Sequence, residues 1–298
     1  MAIRTARWDD WSLEDLVAAK GDTTVSLVVP ARNEVDTVGG VVTRVRERLV
    51  DTVRLVDEIV VIDSDSVDGT YDAAASAGAD VHRSLEIRPD LGTHAGKGEA
   101  MWKSLFVTSG DLVVFMDADL LDWDTHFVPG LLGPLLEDPA VQLVKGFYER
   151  PGEQGPLDGG RVTELVARPL LAMCFPRLAD VVQPLAGEWA VRRSWFATLS
   201  VPTGYGVEVA SLIDTLAVHD EKGIAQVDLG TRSHGHQDLL DLGGMAVQVA
   251  AAILDRAGVG ERWTGDEAGV VLRQFLPGPV PADRVVPVLE RPGAEKYL

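Results

Sequence analysis

Asp117 and Asp119 flank Ala118 directly after the apolar run Leu112-Val113-Val114-Phe115-Met116. Alternate residues of an extended chain share a side, so both carboxylates face the same way with a small residue between them. Such a pair can hold a hard divalent cation and leave its other positions to water and phosphate oxygens, the usual arrangement for Mg²⁺ with a nucleotide. Two further polar clusters follow apolar runs in the same manner. Pro30-Ala31-Arg32-Asn33-Glu34 closes the run that begins at Val25, and Asp63-Ser64-Asp65-Ser66 with Asp68-Gly69-Thr70 follows Glu58-Ile59-Val60-Val61-Ile62. Taken singly, each cluster is accounted for by turns and helix caps. Three at successive strand ends are harder to dismiss, because open α/β sheets bind ligands outside the carboxyl ends of their strands.

Lys97 sits between Gly96 and Gly98, a pattern that lets the backbone come close to a ligand. No Gly-x-x-x-x-Gly-Lys-Ser/Thr occurs, which excludes a P-loop NTPase. No Gly-x-Gly-x-x-Gly follows the first strand, which counts against a dinucleotide fold and weakens a sugar nucleotidyltransferase. What remains is a nucleotide held by strand-end side chains and a metal.

The elements that must position these residues are legible in the hydrophobic pattern. The three apolar runs read as strands buried on both faces. Between them lie helical patterns over 37–50, 68–78 and 98–108, with Gly78 placed to stop the second. Strands alternating with helices predict a parallel, doubly wound sheet over residues 1–120. Beyond it we expect a helix at 125–137, a strand at 140–146 and a mobile Gly-, Pro- and acid-rich loop at 149–160. Helices at 161–173 and 207–219, a strand at 224–229, a long helix at 243–257 and an irregular Pro-rich tail from 276 follow. Met245, Val249, Ala252 and Ile253 give the long helix an apolar face for the core or for a dimer. Glu188 and Trp189 read as a capping acid and a packed aromatic. The tryptophans, among them Trp8, Trp11, Trp123 and Trp263, read as core or interface.

The chain has 298 residues with 46 acidic against 27 basic, a net charge of −19. A field of that sign repels phosphate polymers and anionic lipid, so we expect neither nucleic acid nor membrane as partner. One cysteine, Cys174, allows no intramolecular disulfide and no thiolate zinc site. Residues 1–10 carry no long apolar stretch behind their basic residues, and no run of about 18 apolar residues occurs. We therefore expect no membrane span, and a cytoplasmic location.

Val28-Val29-Pro30-Ala31-Arg32-Asn33-Glu34, Val61-Ile62-Asp63-Ser64-Asp65-Ser66 running on to Asp68-Gly69-Thr70, Gly96-Lys97-Gly98-Glu99-Ala100 and the Asp-x-Asp together resemble a retaining glycosyltransferase of the GT-A fold. More narrowly, the chain resembles the glucosyl-3-phosphoglycerate synthases of actinobacteria. That likeness extends through Gly159–Leu165, Gln183–Glu188, Gly204–Glu208 and Arg232-Ser233-His234, from about residue 25 to 277. It implies an α/β GT-A fold, a mostly parallel doubly wound sheet flanked by helices, with a helical acceptor-side C-terminal extension. Residues 1–145 would form the nucleotide-sugar half, and 146–298 the acceptor half with its extension, in one continuous catalytic domain.

The implied reaction moves glucose from a nucleotide sugar, UDP-glucose foremost, to the 2-hydroxyl of 3-phosphoglycerate with retention. It would use Mg²⁺, or Mn²⁺ in its place. The product would be a precursor of glucosylglycerate and, in some actinobacteria, of methylglucose polysaccharides. By resemblance, Pro30, Ala31, Asn33, Glu34, Ser64 and Lys97 line the nucleotide. Asp119 and His234 would ligate the metal, with Asp117 as partner carboxylate. Gly160, Arg161 and Thr163 match the phosphoglycerate site, and Leu185 and Glu208 lie beside the transferred sugar. Tyr205, Arg232 and His236 complete the substrate contacts, while Asp119, Glu208, Lys97 and His234 form the catalytic set. Taken without the resemblance, His234 reads as a loop histidine and Arg161 as a solvated helix residue. After His234 the chain departs from the family pattern with Gly235-His236-Gln237. Partners would be small molecules and a second copy of the chain, as a homodimer. The rival readings are a mannosyl-3-phosphoglycerate synthase using GDP-mannose, a polyprenyl-phosphate glycosyltransferase, and a nucleotide-sugar sensor without turnover.

Overall fold

The computed structural model describes residues 2–149, 160–232, 239–259, 269–277 and 280–298. Residues 150–159 of the expected mobile loop, with His234, His236 and Trp263, lie outside the described residues, while Glu149 ends the strand Leu143–Glu149.

The chain opens with β1 (Arg4–Arg7) and α1 (Leu13–Lys20), then β2 (Val25–Ala31) and α2 (Val38–Val45). Next come β3 (Glu58–Asp63), α3 (Thr70–Ser76), β4 (Asp80–Arg83), α4 (Lys97–Ser104) and β5 (Leu112–Phe115). The middle holds α5 (Phe127–Glu137), β6 (Leu143–Glu149), α6 (Arg168–Cys174), β7 (Trp189–Arg192) and the single turn α7 (Arg193–Phe196). Then follow β8 (Val201–Pro202), α8 (Val207–His219), β9 (Ile224–Thr231) and α9 (Leu239–Arg256). The chain ends with β10 (Gly269–Leu276), β11 (Val280–Pro287) and β12 (Glu290–Arg291).

Eight strands form one sheet in the order β1-β9-β6-β7-β5-β2-β3-β4. All neighbours are parallel except β7, which runs antiparallel to both β5 and β6. The mostly parallel sheet is thus as the pattern predicts. β1, β4 and β7 went unread because, unlike the equally short but wholly apolar β5, their four residues mix charged with apolar ones.

β2 is buried along most of its length because both its faces are covered. Val38, Val41, Val42 and Val45 of α2 and Phe127 and Leu131 of α5 pack against Leu27, Val29, Val61 and Val114 on one face. Met101 of α4, Leu212 of α8 and Ile253 of α9 pack against Val28, Val60, Val113 and Phe115 on the other. Alternate residues of each strand serve opposite layers, which is the physical meaning of its continuous apolar run.

One alternative is settled and one expectation changes. Val249, Ala252 and Ile253 of α9 are buried in this second layer, so that face belongs to the core and not to a dimer. The tail from 276 is not irregular: β10 and β11 pair antiparallel from Gly269↔Pro287 to Leu276↔Val280. Pro281 and Pro287 are tolerated because the hairpin forms a two-stranded sheet of its own, whose strands are both edges. The helix expected at 161–173 is present, with a widened π-type turn at Thr163–Ala167 immediately before Pro169, which has no N–H to donate.

Candidate active site

The sheet switches direction at β2: β3 and β4 lie on one side, while β5 returns on the other. The crevice beyond these strand ends is where such a sheet binds ligands. A cavity of about 890 Å³ opens there. Pro30, Ala31, Arg32 and Glu34 reach it from β2 and its loop, Ser64 from β3, and Asp117, Ala118 and Asp119 from β5. Gly160, Arg161, Thr163, Leu185, Tyr205, Glu208 and Arg232 line it as well. One expected nucleotide residue is elsewhere. Asn33 is not among the lining residues; at φ 57° its side-chain oxygen accepts from the Val67 N–H at 3.0 Å, tying the β2 loop to the β3 loop.

The floor of the cavity is a chain of charges. The Lys97 ammonium lies 2.6 Å from Asp117 Oδ1 and 2.9 Å from Glu208 Oε1. The Arg232 guanidinium meets Asp117 at 3.3 Å, Asp119 at 3.1 Å and Glu188 at 2.7 Å. Tyr148 donates its hydroxyl proton to Glu188 Oε2 at 2.7 Å. Arg232 and Glu208 are 3 % and 4 % exposed, so these pairs are little screened by water.

Burial opposes the charged form of Lys97, yet Asp117 and Glu208 outweigh it and hold the ammonium protonated well above its ordinary range. Burial likewise opposes the charge on Asp117, but Lys97 and Arg232 keep it ionised well below the usual carboxylate range. Asp119 is pushed the other way, by burial and by the neighbouring Asp117. Burial first, then Asp119, raises Glu34 to about 7.

That imbalance bears on metal binding. Asp119 is the more open of the two carboxylates, at 42 % exposed, and faces the cavity with its charge opposed. A hard divalent cation beside it would relieve the opposition, and one or two carboxylates plus substrate oxygens suffice for Mg²⁺. Among the described residues no group of three His, Cys, Asp or Glu side chains is placed to hold a metal ion. Asp119 thus suits one carboxylate ligand of such a cation.

Local sequence explains the precision. At Gly98 a Cβ would fall 1.8 Å from the Pro202 carbonyl oxygen, and at Gly96 2.3 Å from that of Thr203. The two glycines thus admit the chain's own 202–204 backbone, where the pattern suggested a ligand. This approach seats the start of α4, with the Gly98 and Glu99 N–H groups donating to Gly204 and Thr203 carbonyls at 3.2 and 2.8 Å. Gly187 performs the same service for Asp117, whose carboxylate oxygens would lie 2.3 Å from a Cβ there.

Sequence reasoning missed Glu188, which is fully buried and pairs with Arg232 where a capping role was expected. The available signal was an acid directly before the apolar strand Trp189-Ala190-Val191, which burial obliges to find a cation. Trp189 is the packed aromatic expected, tilted against Phe115 at 4.7 Å. Leu242, Met245 and Gln248 of α9 and Pro287 of β11 also line the cavity. Nothing local marks them, since they reach it through tertiary packing.

Residues 26–196 match the model of the glycosyl transferase family 2, described as "Glycosyl transferase family 2". The glucosyl-3-phosphoglycerate synthase of Mycolicibacterium smegmatis is 47% identical over 89% of this chain and 86% of its own length. That of Petrotoga mobilis is 43% identical over 80% of this chain and 74% of its own. The crystal structure of the Mycobacterium tuberculosis glucosyl-3-phosphoglycerate synthase in complex with Mn²⁺, UDP-glucose and phosphoglyceric acid superposes with a TM-score of 0.89. It is 42% identical and covers 99% of both chains. The same enzyme crystallised with Mn²⁺, UDP and glucosyl-3-phosphoglycerate gives 0.89 as well. With a site of this geometry on a sheet of this topology, the chain belongs to glycosyl transferase family 2 and, within it, to the glucosyl-3-phosphoglycerate synthases.

Proposed function

We propose that this chain transfers glucose from UDP-glucose to the 2-hydroxyl of 3-phosphoglycerate with retention, giving glucosyl-3-phosphoglycerate. The observation that carries the reading is the Lys97–Asp117–Arg232–Asp119 charge chain, set in one cavity with Gly160, Arg161 and Thr163. Pro30, Ala31, Glu34 and Ser64 hold the nucleotide, and Asp119 and His234 would hold Mg²⁺ or Mn²⁺. When bound, that ion supplies positive charge to the donor diphosphate.

The residues divide the remaining work. Lys97 and Arg232 face the leaving diphosphate with positive charge that costs no reorganisation, since Asp117, Glu208 and Glu188 already hold them. Arg161 offers a guanidinium and Thr163 a hydroxyl to the phosphate and carboxylate of the acceptor, focused charge that a chain of net −19 requires there. As the C1–diphosphate bond breaks, the acceptor hydroxyl bonds to C1 on the same face, and its proton passes to the departing diphosphate oxygen. Glu208, paired with Lys97 at 2.9 Å, stabilises positive charge on the sugar or accepts from a sugar hydroxyl. The tie to Lys97 makes it a poor nucleophile.

Among the described residues no helix is long and apolar enough to cross a membrane. We place the enzyme in the cytoplasm, working as a homodimer, with residues 1–145 serving the donor and 146–298 the acceptor. The test is product formation from 3-phosphoglycerate with UDP-, ADP- and GDP-glucose and GDP-mannose, with Mg²⁺ and with EDTA. Metal-dependent glucose transfer supports the reading; mannose transfer replaces it with the mannosyl enzyme. Donor binding without transfer removes the acceptor and the role of Arg161 with it.

A further inference from the structure

Lys145 is a buried cation that the chemistry above does not use. It stands on β6 between Trp189 of β7 and Gln226 of β9, and is 1 % exposed. Its ammonium lies 5.6 Å from the Trp189 ring centre. Among the described residues its one hydrogen bond goes to the Ala186 carbonyl oxygen. Burial pushes the amine down to about 7, against the pull of Glu208. Charged or neutral, an amine still has N–H bonds to donate, so this contact survives either state.

A lysine on a central strand with a single carbonyl partner is an expensive way to pack a core. The partner explains the expense. Ala186 lies between Leu185 and Gly187, both of which line the cavity. In a trans peptide the carbonyl and the following N–H point in opposite directions. With the Ala186 oxygen drawn inward to Lys145, the Gly187 N–H points away from the lysine. Among the described residues that N–H donates to no protein acceptor. Gly187 itself lines the cavity beside Asp117, whose carboxylate a Cβ at Gly187 would strike. The flanking contacts hold the segment from the same strand: Gly146 N–H donates to the Glu188 carbonyl at 2.9 Å, and Gln183 Nε2 to the Tyr148 carbonyl.

We propose that Lys145 is a positioning residue that fixes the Ala186–Gly187 peptide so that the Gly187 N–H donates a hydrogen bond to an oxygen of the transferred sugar. The inference rests on the donor assignment above. Lys145 touches no substrate; it acts through the peptide.

The direct test labels the protein with ¹³C-carbonyl alanine and ¹⁵N-glycine, so that only Ala–Gly amides appear; there are five in the chain. The Ala186→Ser variant, which deletes one peak, assigns Gly187. Exchange of that amide with solvent is then compared in the Mg²⁺-loaded wild type with UDP and with UDP-glucose. At least tenfold slower exchange with UDP-glucose than with UDP is expected, and equal exchange overturns the proposal. If UDP-glucose neither binds nor turns over, the donor reading has failed instead. In the second arm, Lys145→Met is expected to lower kcat about tenfold with KM for 3-phosphoglycerate unchanged, and to abolish the difference in exchange. A Lys145→Met enzyme with wild-type kcat and an intact exchange difference also overturns it. Should that variant not fold, the wild-type exchange comparison still decides.

Discussion

Arg291, almost at the C-terminus, forks onto Glu99 in the first turn of α4, 192 residues earlier, at 2.8 and 2.7 Å. The carboxylate is fully buried and the guanidinium 10 % exposed, with Arg291 also donating to the Leu91 and Gly92 carbonyls at 2.9 and 3.0 Å and lying over the Trp102 ring. Two residues before Glu99 stands Lys97. Arg291→Ala strands a buried charge, which typically costs about 3–5 kcal/mol. We expect a loss of that size in urea unfolding. In the fraction that folds, kcat should fall, because the turn carrying Lys97 is no longer clamped.

Glu188 and Arg232 form a second buried pair, at 0 % and 3 % exposure. Glu188→Gln should destabilise by a similar amount, about 3–5 kcal/mol. The double variant with Arg232→Met should be less destabilised than the two single losses added together, because neither charge is then left alone. Chemical denaturation of all four proteins measures this coupling.

Gly187→Ala brings a methyl into the space of the Asp117 carboxylate, 2.3 Å from its oxygens. Backbone or carboxylate has to yield, and a displacement near 1 Å at a reacting site costs about 10²-fold in rate. Steady-state kinetics should show that loss in kcat, with the thermal midpoint changed by only a few degrees.

Asp119→Ala should remove the metal-dependent part of catalysis, about 10²–10³-fold in kcat if it resembles loss of one charge-stabilising group. Titration of free Mn²⁺ by electron paramagnetic resonance, in the presence of UDP, should show weakened binding by the same variant. Unchanged Mn²⁺ uptake would remove Asp119 from the metal site.

Glu34 carries a pH signature. Burial and Asp119 raise it from 4.5 in an ordinary setting to about 7. Between those values the folded protein holds a proton that the unfolded chain has released, so stability falls as pH rises across that window. Glu34→Gln should flatten this slope in the metal-free protein. Excess Mg²⁺ with UDP should reduce it in part, by neutralising Asp119, the second cause after burial. Thermal midpoints at half-unit steps from pH 4.5 to 7.5 measure both.

The strands that carry the site were legible because their apolar runs are continuous and end abruptly in acids and amides. Asp117, Asp119, Glu34 and Ser64 could be placed at one edge from that alone, while Lys97 was marked only by its two flanking glycines. Arg232 and Glu208 needed the family resemblance, since nothing local separates a helix acid or a strand-end arginine from a solvated one. The hairpin of β10 and β11 escaped because its prolines mimic an irregular tail, and its pairing is visible only once Val271 is set opposite Val285. Glu188 escaped because an acid before a strand reads as a cap until the buried Arg232 stands beside it. Gln248, which takes the Tyr205 N–H at 3.0 Å, belongs to an apolar helix whose pattern speaks of packing and not of cavities.

The first strand of this sheet pairs with its last. Thr5 on β1 accepts a hydrogen bond from Gln226 on β9, a residue 221 positions further along. During synthesis the opening segment therefore waits, its edge unmatched, until nearly the whole sheet has left the ribosome. The cavity is finished later still, by α9, Pro287 and the Arg291 clamp. A chain interrupted before Arg291 should bury much of its core yet have no working site, so such copies are idle and do not turn over the donor.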